Sequence, residues 1–467
     1  MKKTLLNLCF LMGLSLHGFG QGMPPIVSFQ QQNPNLPAGT QFASLVAVDA
    51  NTVWGVAGTL NGNTLNPTLY SRTANGGTTW QQGTVTAAGL ANYGVANISA
   101  VDANTAWAAI YPAVAGGTSA ILKTTNGGTS WTRQTSAAFS AAGAFPNWVH
   151  FFDANNGVCM GDPTAVSGSV PHFEIYTTTN GGTTWTRIPR TSAITSASGE
   201  YGVVNQFYAV GNTIWFLTGY DTGLPNQVKT IRSTDRGVTW TEGGTTAFTE
   251  QASGVVFSSA TNGLVWDGAD LESTTDGGQT WTPRPYSTPF RASDVTAIPN
   301  SNVFVCVGTD ARMAPAAATI GTSISRDLGA TWTTIDNATQ YTSVSFVSGT
   351  VGYAGGFAGA MGGAGIGKYN GPSILGNRNA ELQKALAVYP NPSSNGIFTV
   401  QLAAGLKSGA AVRVTDVVGR EVASQTLNAT AIAAKSTTVD LSSEKAGVYT
   451  LELRTDAGVA QQKLVVQ

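Results

Sequence analysis

Four aspartates, Asp162, Asp221, Asp267 and Asp310, each stand within three residues of the end of an apolar, strand-like run. Other chemically capable side chains fall at comparable places. Tyr111, His172, Tyr220 and Arg312 lie beside the same strand ends, and Trp148, Glu200, Tyr201, Tyr286 and Arg291 lie in or beside the segments that lead into the next run. Carboxylates among aromatic platforms suit a polyhydroxylated ligand such as a glycan, or a divalent cation held by oxygen ligands. Two carboxyl groups about 5 to 10 Å apart also suit glycoside hydrolysis. The competing use is structural: aspartate caps a strand end by accepting local backbone N–H bonds. Because aspartate is depleted in strands, agreement among four neighbouring runs argues for a shared face.

No cofactor or resident metal is expected. The stretch GGFAGAMGGAGIG (355–367) imitates nucleotide-binding spacing but lacks the following helix that such a loop serves. His150 and His172 are the only histidines after residue 20, too few for a zinc site.

The elements that position these residues are set by a repeat. The pattern Ser/Thr-x-Asp/Asn-x-Gly-x-Thr/Ser-Trp occurs six times, with Trp-to-Trp spacings of 51, 54, 55, 41 and 51 residues. That length suits a four-stranded sheet with its loops. Within each copy the Asn or Asp bonds the backbone two residues on, the glycine supplies positive φ and the tryptophan packs between sheets. Upstream of each copy lies a strand pair joined by a turn, and a seventh pair follows at 346–353. The second strands place Trp54, Trp107, Cys159, Trp215, Trp266, Phe304 and Tyr353 at one equivalent position, which makes Cys159 a buried, inert thiol. His150, at the start of a core strand, is expected to be packed. The seventh unit ends at GIGKYN without a fourth strand, and IVSFQQQN (26–33) fits the empty slot, closing the ring and hiding its edges.

This repeat resembles the Asp-box, or bacterial neuraminidase repeat, propellers, a group that includes sialidases, sortilin ectodomains, xyloglucanases and photosystem II assembly factors. The resemblance implies that the box joins the third and fourth strands on the face opposite the ligand. Asn75, Trp80, Asn126, Trp131, Asn180, Trp185, Asp235, Trp240, Asp276, Trp281, Asp327 and Trp332 are then structural. A sialidase site needs three arginines at strand starts and a tyrosine nucleophile. Arg133, Arg187, Arg232, Arg236 and Arg326 instead fall in or beside boxes or on fourth strands, and Arg187-Ile188-Pro189 follows the third box rather than preceding the first. Xyloglucanases place their acids between two propellers, and this chain has one.

From residue 386 the texture changes to short alternating segments, as in a small β-sandwich. This tail resembles the type A C-terminal sorting domain of the type IX secretion system of Bacteroidota. The residues that carry the likeness are Tyr389, Pro390, Asn391, Pro392, Gly396, Asp416, Gly419, Gly447, Tyr449 and Lys463. It implies the type IX secretion machinery as a partner, translocation across the outer membrane, and attachment to the surface or release.

Composition agrees with export and narrows the partners. Only 10% of the 467 residues are charged and 56 are glycine. No basic run follows Lys3, which excludes nucleic acid and anionic membranes as partners. Lys2, Lys3 and the apolar run Leu5–Leu16 read as a signal peptide too short to span a bilayer, so no transmembrane segment is expected after its removal.

The sequence therefore predicts an all-β chain. A signal peptide (1–20) precedes a seven-bladed β-propeller (21–372) closed by an N-terminal strand, a linker (373–385) and an immunoglobulin-like β-sandwich (386–467). The expected function is a secreted, surface-displayed propeller binding a glycan or protein ligand. Its alternatives are a glycoside hydrolase using two carboxylates of the arc, or a scaffold for a protein partner.

Overall fold

The computed structural model describes residues 28–61, 64–139, 144–165, 169–190, 194–223, 227–287, 289–299, 301–310, 319–358, 365–371, 374, 380–402, 406, 410–416, 421–455 and 458–467. The residues read as a signal peptide, Arg312, Gly419 and residues 359–364 of the glycine-rich stretch lie outside them. Two compact units divide at Gly371/Pro372.

Among the described residues the first unit contains seven antiparallel sheets that follow one another in the chain. Their first strands are Thr40–Ala47, Tyr93–Ala100, Pro146–Phe151, Glu200–Val210, Gly254–Phe257, Asp294–Ala297 and Ser343–Phe346. Each first strand neighbours the next, and the seventh neighbours the first, so they surround a common axis as in a β-propeller. Two seams close the ring. Phe29–Gln32 pairs antiparallel with Ile366–Tyr369 at the outer edge of the seventh sheet, and Phe357–Ala358 pairs with Thr40–Gln41 at the inner edge of the first.

Axial strand edges expose unpaired N–H and C=O groups, and side chains of neighbouring sheets satisfy many of them. Asn97 donates to Val149 O at 2.8 Å and accepts from Val149 N at 3.0 Å. Ser99 accepts from Phe151 N, Asp294 from Val344 N and Ser345 from Ala47 N. The Tyr208 hydroxyl accepts from Ala297 N at 3.1 Å, reaching from the fourth sheet to the sixth.

The six repeat turns fold alike. In one, Asp276 Oδ1 accepts from Gln279 N and Thr280 N while its Oδ2 accepts from the Thr280 hydroxyl, and Gly278 adopts a φ of 85°. The turn's tryptophan packs against the preceding sheet: Trp131 meets Trp54 edge-on at 6.3 Å and Trp80 meets Tyr353 at 6.3 Å.

The register corrects the expected equivalence of the seven core residues. Trp54, Trp107, Trp215 and Tyr353 pair with Arg72, Lys123, Arg232 and Lys368, whose cations lie 5.0 to 5.8 Å from those ring centroids. In all six box-bearing sheets the third-strand member of that pair stands just before the turn's Ser or Thr. The matching residues in the third, fifth and sixth sheets are Val158, Leu264 and Val305, not Cys159, Trp266 and Phe304. Val158 and Leu264 pack toward the following sheet, whereas Phe151 and Phe257 stack flat on Trp107 and Trp215, at 3.4 and 3.8 Å, in the interface with the preceding one. Gly157 and Gly263 are required beside them, since an added Cβ would lie 2.7 and 2.6 Å from those phenyl rings. Cys159 therefore points into the preceding interface, buried, where desolvation holds its thiol well above the usual range.

The second unit is a two-sheet sandwich. A three-stranded sheet (Ala387–Tyr389, Ile397–Gln401, Ser436–Asp440) and a four-stranded sheet (Glu421–Thr426, Ala411–Thr415, Gly447–Thr455, Gly458–Val466) enclose Phe398, Val414, Leu451 and Leu464. Two elements differ from expectation. Ala380–Ala385, read as linker, is a helix whose Leu382 joins this core and whose Gln383 side chain pairs with the backbone of Gln461. A second helix, Ala429–Ala434, starts at Asn428, which caps Ala431 N at 2.8 Å. The Tyr389–Pro390 and Asn391–Pro392 peptides are cis, and Asn391 bonds both Lys463 O and Val465 N.

Candidate functional site

The sequence-derived candidates fall in strands and strand ends as well as loops, and the structure separates them. Asp162 lies within the second strand of the third sheet, Gly157–Thr164, at a bulge in its pairing with His172–Thr178 between Gly161 and Pro163. Its Oδ1 accepts from Asn147 Nδ2 at 2.7 Å and from Gly202 N at 3.2 Å, so it joins the third sheet to the fourth. Next to Gly202 stands Tyr201, paired with Gly219. Only glycine fits there, because a Cβ would meet the Tyr201 ring at 2.6 Å. The half-buried tyrosine has its pKa raised first by desolvation and then by the charges of Asp221, Asp162 and Glu250. Three carboxylates thus give this rim a negative potential, and among the described residues the Tyr201 hydroxyl has no hydrogen-bond partner. Asp221 is exposed, its backbone held by Asp221 N to Gly199 O at 2.9 Å. Glu250, which the sequence reading did not single out, enters from the loop after the fourth sheet at φ 65°.

The other two aspartates of the arc serve as local caps. Asp267 accepts from the Ser253 hydroxyl at 2.9 Å, and Asp310 from the Thr319 hydroxyl at 2.6 Å. The arc thus does not act as one constellation: Asp162 and Asp221 share an electrostatic target, and Asp267 and Asp310 are tied elsewhere.

Four expected ligand contacts are buried instead. Trp148 is fully buried and stacks on Phe207 at 4.8 Å, because it lies on a first strand between two sheets. Glu200, with Oε2 accepting from Ala197 N and Oε1 3.3 Å from Lys229 Nζ, is an internal ion-pair partner. Tyr220 is buried opposite it in register, and desolvation, then that carboxylate, pushes its pKa up. Arg291 is spent on Ile320 O and the Ser323 hydroxyl. Tyr111 is half-buried, 6.5 Å from Phe145. Tyr286 donates to Ala269 O at 2.6 Å, and His172 Nδ1 lies 2.8 Å from Val170 O. Arg187 forms a two-point pair with the buried Glu174, which accounts for the Arg-Ile-Pro triplet structurally.

His150, Tyr208 and Asp294 stand half-buried on first strands around the axis. Desolvation lowers the His150 pKa to about 4 and raises that of Asp294 to about 6.

Comparisons with known proteins follow the same division. Residues 387–467 match the family described as the secretion system C-terminal sorting domain. No curated protein matches the chain. Among solved structures, it is similar to PorZ, a surface component of the type IX secretion system of Porphyromonas gingivalis, with 14% identity, 90% of this chain and 58% of that chain covered, and a TM-score of 0.46. A GH74 enzyme of Niastella koreensis shows 16% identity, 92% and 66% coverage and a TM-score of 0.41. A Hadza microbial sialidase shows 14% identity, 71% and 65% coverage and a TM-score of 0.41. The chain thus spans 58% to 66% of the length of these structures. No helix among the described residues is long and apolar enough to cross a membrane. The chain is a β-propeller protein with a secretion-system C-terminal sorting domain, destined for the cell surface or the extracellular space.

Proposed function

We propose that this exported protein is a binding propeller, and that its ligand, a glycan or a glycan-bearing protein, meets the rim between the third and fourth sheets. The observation that carries the reading is Tyr201: an unbonded hydroxyl and a half-buried ring set among Asp162, Asp221 and Glu250. A ring face offers stacking to a sugar, and carboxylates accept its hydroxyls.

Binding is favoured over hydrolysis by what the carboxyl groups already do. A glycosidase needs one carboxyl held protonated opposite an ionised partner. The carboxyls raised by burial, Asp294, Glu272 and Asp336, accept backbone N–H groups inside the propeller unit. Asp162 is likewise committed to Asn147 and Gly202.

A glycan array scored for both retention and cleavage tests the proposal. Retention without cleavage, lost in Tyr201→Ala and weakened in Asp221→Asn, is the expected result. Cleavage products that vanish in Asp221→Asn would establish the hydrolase instead.

A further inference from the structure

The first strand of the fourth sheet is the irregular one around the axis. Between the pairs Gly202↔Thr218 and Phe207↔Phe216 it advances five residues while its partner advances two. Asn205 within this bulge has a φ of 59°, a left-handed conformation rare outside glycine. The bulge reaches past its immediate neighbours. Val204 packs against the cluster of Ala96, Trp107 and Val149, which belongs to the second and third sheets, and Val203 packs into the cluster of Trp215 and Val255 on the other side. Just beyond it, Tyr208 crosses to the sixth sheet. One strand thereby touches the second, third, fifth and sixth sheets around the axis.

The bulge lies immediately after Tyr201 and Gly202, at the end of the strand that faces the proposed ligand rim. Asn205 and Gln206 are half-buried, and their amides have no side-chain hydrogen bond among the described residues. Bulges at such places re-aim side chains, and strained residues concentrate where a ligand is held. A side-chain amide offers one acceptor and two donors without charge, the complement of a vicinal pair of sugar hydroxyls.

We infer that the fourth sheet's bulge forms the floor of the ligand site, that Asn205 and Gln206 bind hydroxyls there, and that the ligand is a neutral saccharide rather than an acidic one. The inference rests on the proposed binding role and adds its floor and its ligand class. Asp162, Asp221 and Glu250 supply the discrimination, since their charges repel a uronate or sialate carboxylate.

The test titrates the full chain calorimetrically with neutral oligosaccharides (cellohexaose, xylohexaose, mannohexaose) and acidic ones (sialyllactose, a galacturonate oligomer). Asn205→Gly removes one amide while easing the backbone, and Gln206→Ala removes the other. Unchanged thermal midpoints verify the fold of each variant. At least one neutral sugar should bind, with affinity reduced about tenfold in each variant, and the acidic sugars should not. Neutral binding that Tyr201→Ala abolishes but both amide variants retain would overturn the floor and leave the binding role standing. Binding of acidic sugars alone would overturn the ligand class. Absence of binding to every probe would overturn the inference together with the reading beneath it.

Discussion

Lys123 Nζ lies 5.0 Å from the centroid of the Trp107 ring and donates at 2.7 Å to Gly181 O, the same carbonyl that accepts from Trp107 Nε1 at 3.2 Å. One carbonyl of the third sheet's turn therefore holds a cation and an indole from the second sheet. Across the ring's seam Lys368 likewise lies 5.8 Å from the Tyr353 ring and donates to Gly76 O, while the Tyr353 hydroxyl donates to Ala50 O instead. Lys123→Met keeps the aliphatic stem and removes the charge, and should cost about 1–2 kcal/mol by urea denaturation. Trp107→Ala should cost about 3–5 kcal/mol, because the ring is fully buried and Phe151 loses its stacking partner.

Asp294 and His150 pull stability in opposite directions over one pH window. Asp294, raised to about 6, contributes stability that is full below about pH 4 and lost as pH rises through 6. His150, lowered to about 4, contributes stability that is full above about pH 6.5 and lost as pH falls through 4. Each effect is about 3 kcal/mol, so together they nearly cancel. Asp294→Asn should expose the histidine's slope, with stability falling as pH drops from 6.5 to 4. His150→Gln should expose the aspartate's, with stability rising. Chemical denaturation at several pH values reads both, and parallel profiles in the two variants would refute the assignment.

Phe29 should be a large single contributor to ring closure. It is buried among Tyr341, Tyr369 and Phe346 at centroid distances of 5.2, 5.5 and 6.4 Å. Phe29→Ala should lose about 3–5 kcal/mol. Deleting the strand through Gln32 should also leave the edge Ile366–Tyr369 open, with concentration-dependent association visible by light scattering.

The repeat turns tolerate amide for carboxylate at the position of Asp276, as Asn75, Asn126 and Asn180 show. Asp276 has its pKa lowered to about 2: the hydroxyls and backbone N–H groups of the turn outweigh its desolvation. The carboxylate's stabilisation is therefore present above about pH 4 and lost as pH falls toward 2, small in size because the group is exposed. Asp276→Asn should be close to neutral at pH 7, whereas Asp276→Ala should lower the thermal midpoint by a few degrees.

The repeat turns were readable because each needs a fixed set of residue types: an acceptor to bond the backbone, glycine for positive φ, tryptophan for the interface. The slot for residues 26–33 was readable because one sheet lacked a strand. The strand register was less so, since Val158 holds the position of Trp107 in the ladder while Cys159, one residue on, is the one that lines up by sequence. At the rim, residue type put forward Asp162, Tyr201 and Asp221, which the proposed site uses. It could not tell them from Trp148, Glu200, Tyr220 and Arg291, whose burial depends on how neighbouring sheets meet. Asn205 and Gln206 had one signal, the length of their strand: Glu200–Val210 has 11 residues, against 8 in Tyr93–Ala100.

The seam at Phe29–Gln32 also sets the order in which the chain acquires structure. Gln31 Nε2 bonds the Tyr341 hydroxyl across a separation of 310 residues. Bringing such distant ends together costs on the order of 4 kcal/mol more chain entropy than closing a short hairpin. The second to sixth sheets are built from consecutive hairpins and form locally, while the earliest-made strands, in the first and seventh sheets, wait for the last-made ones. The folding chain is thus an open string of small sheets until residues 366–369 are in place, and becomes a locked ring only then.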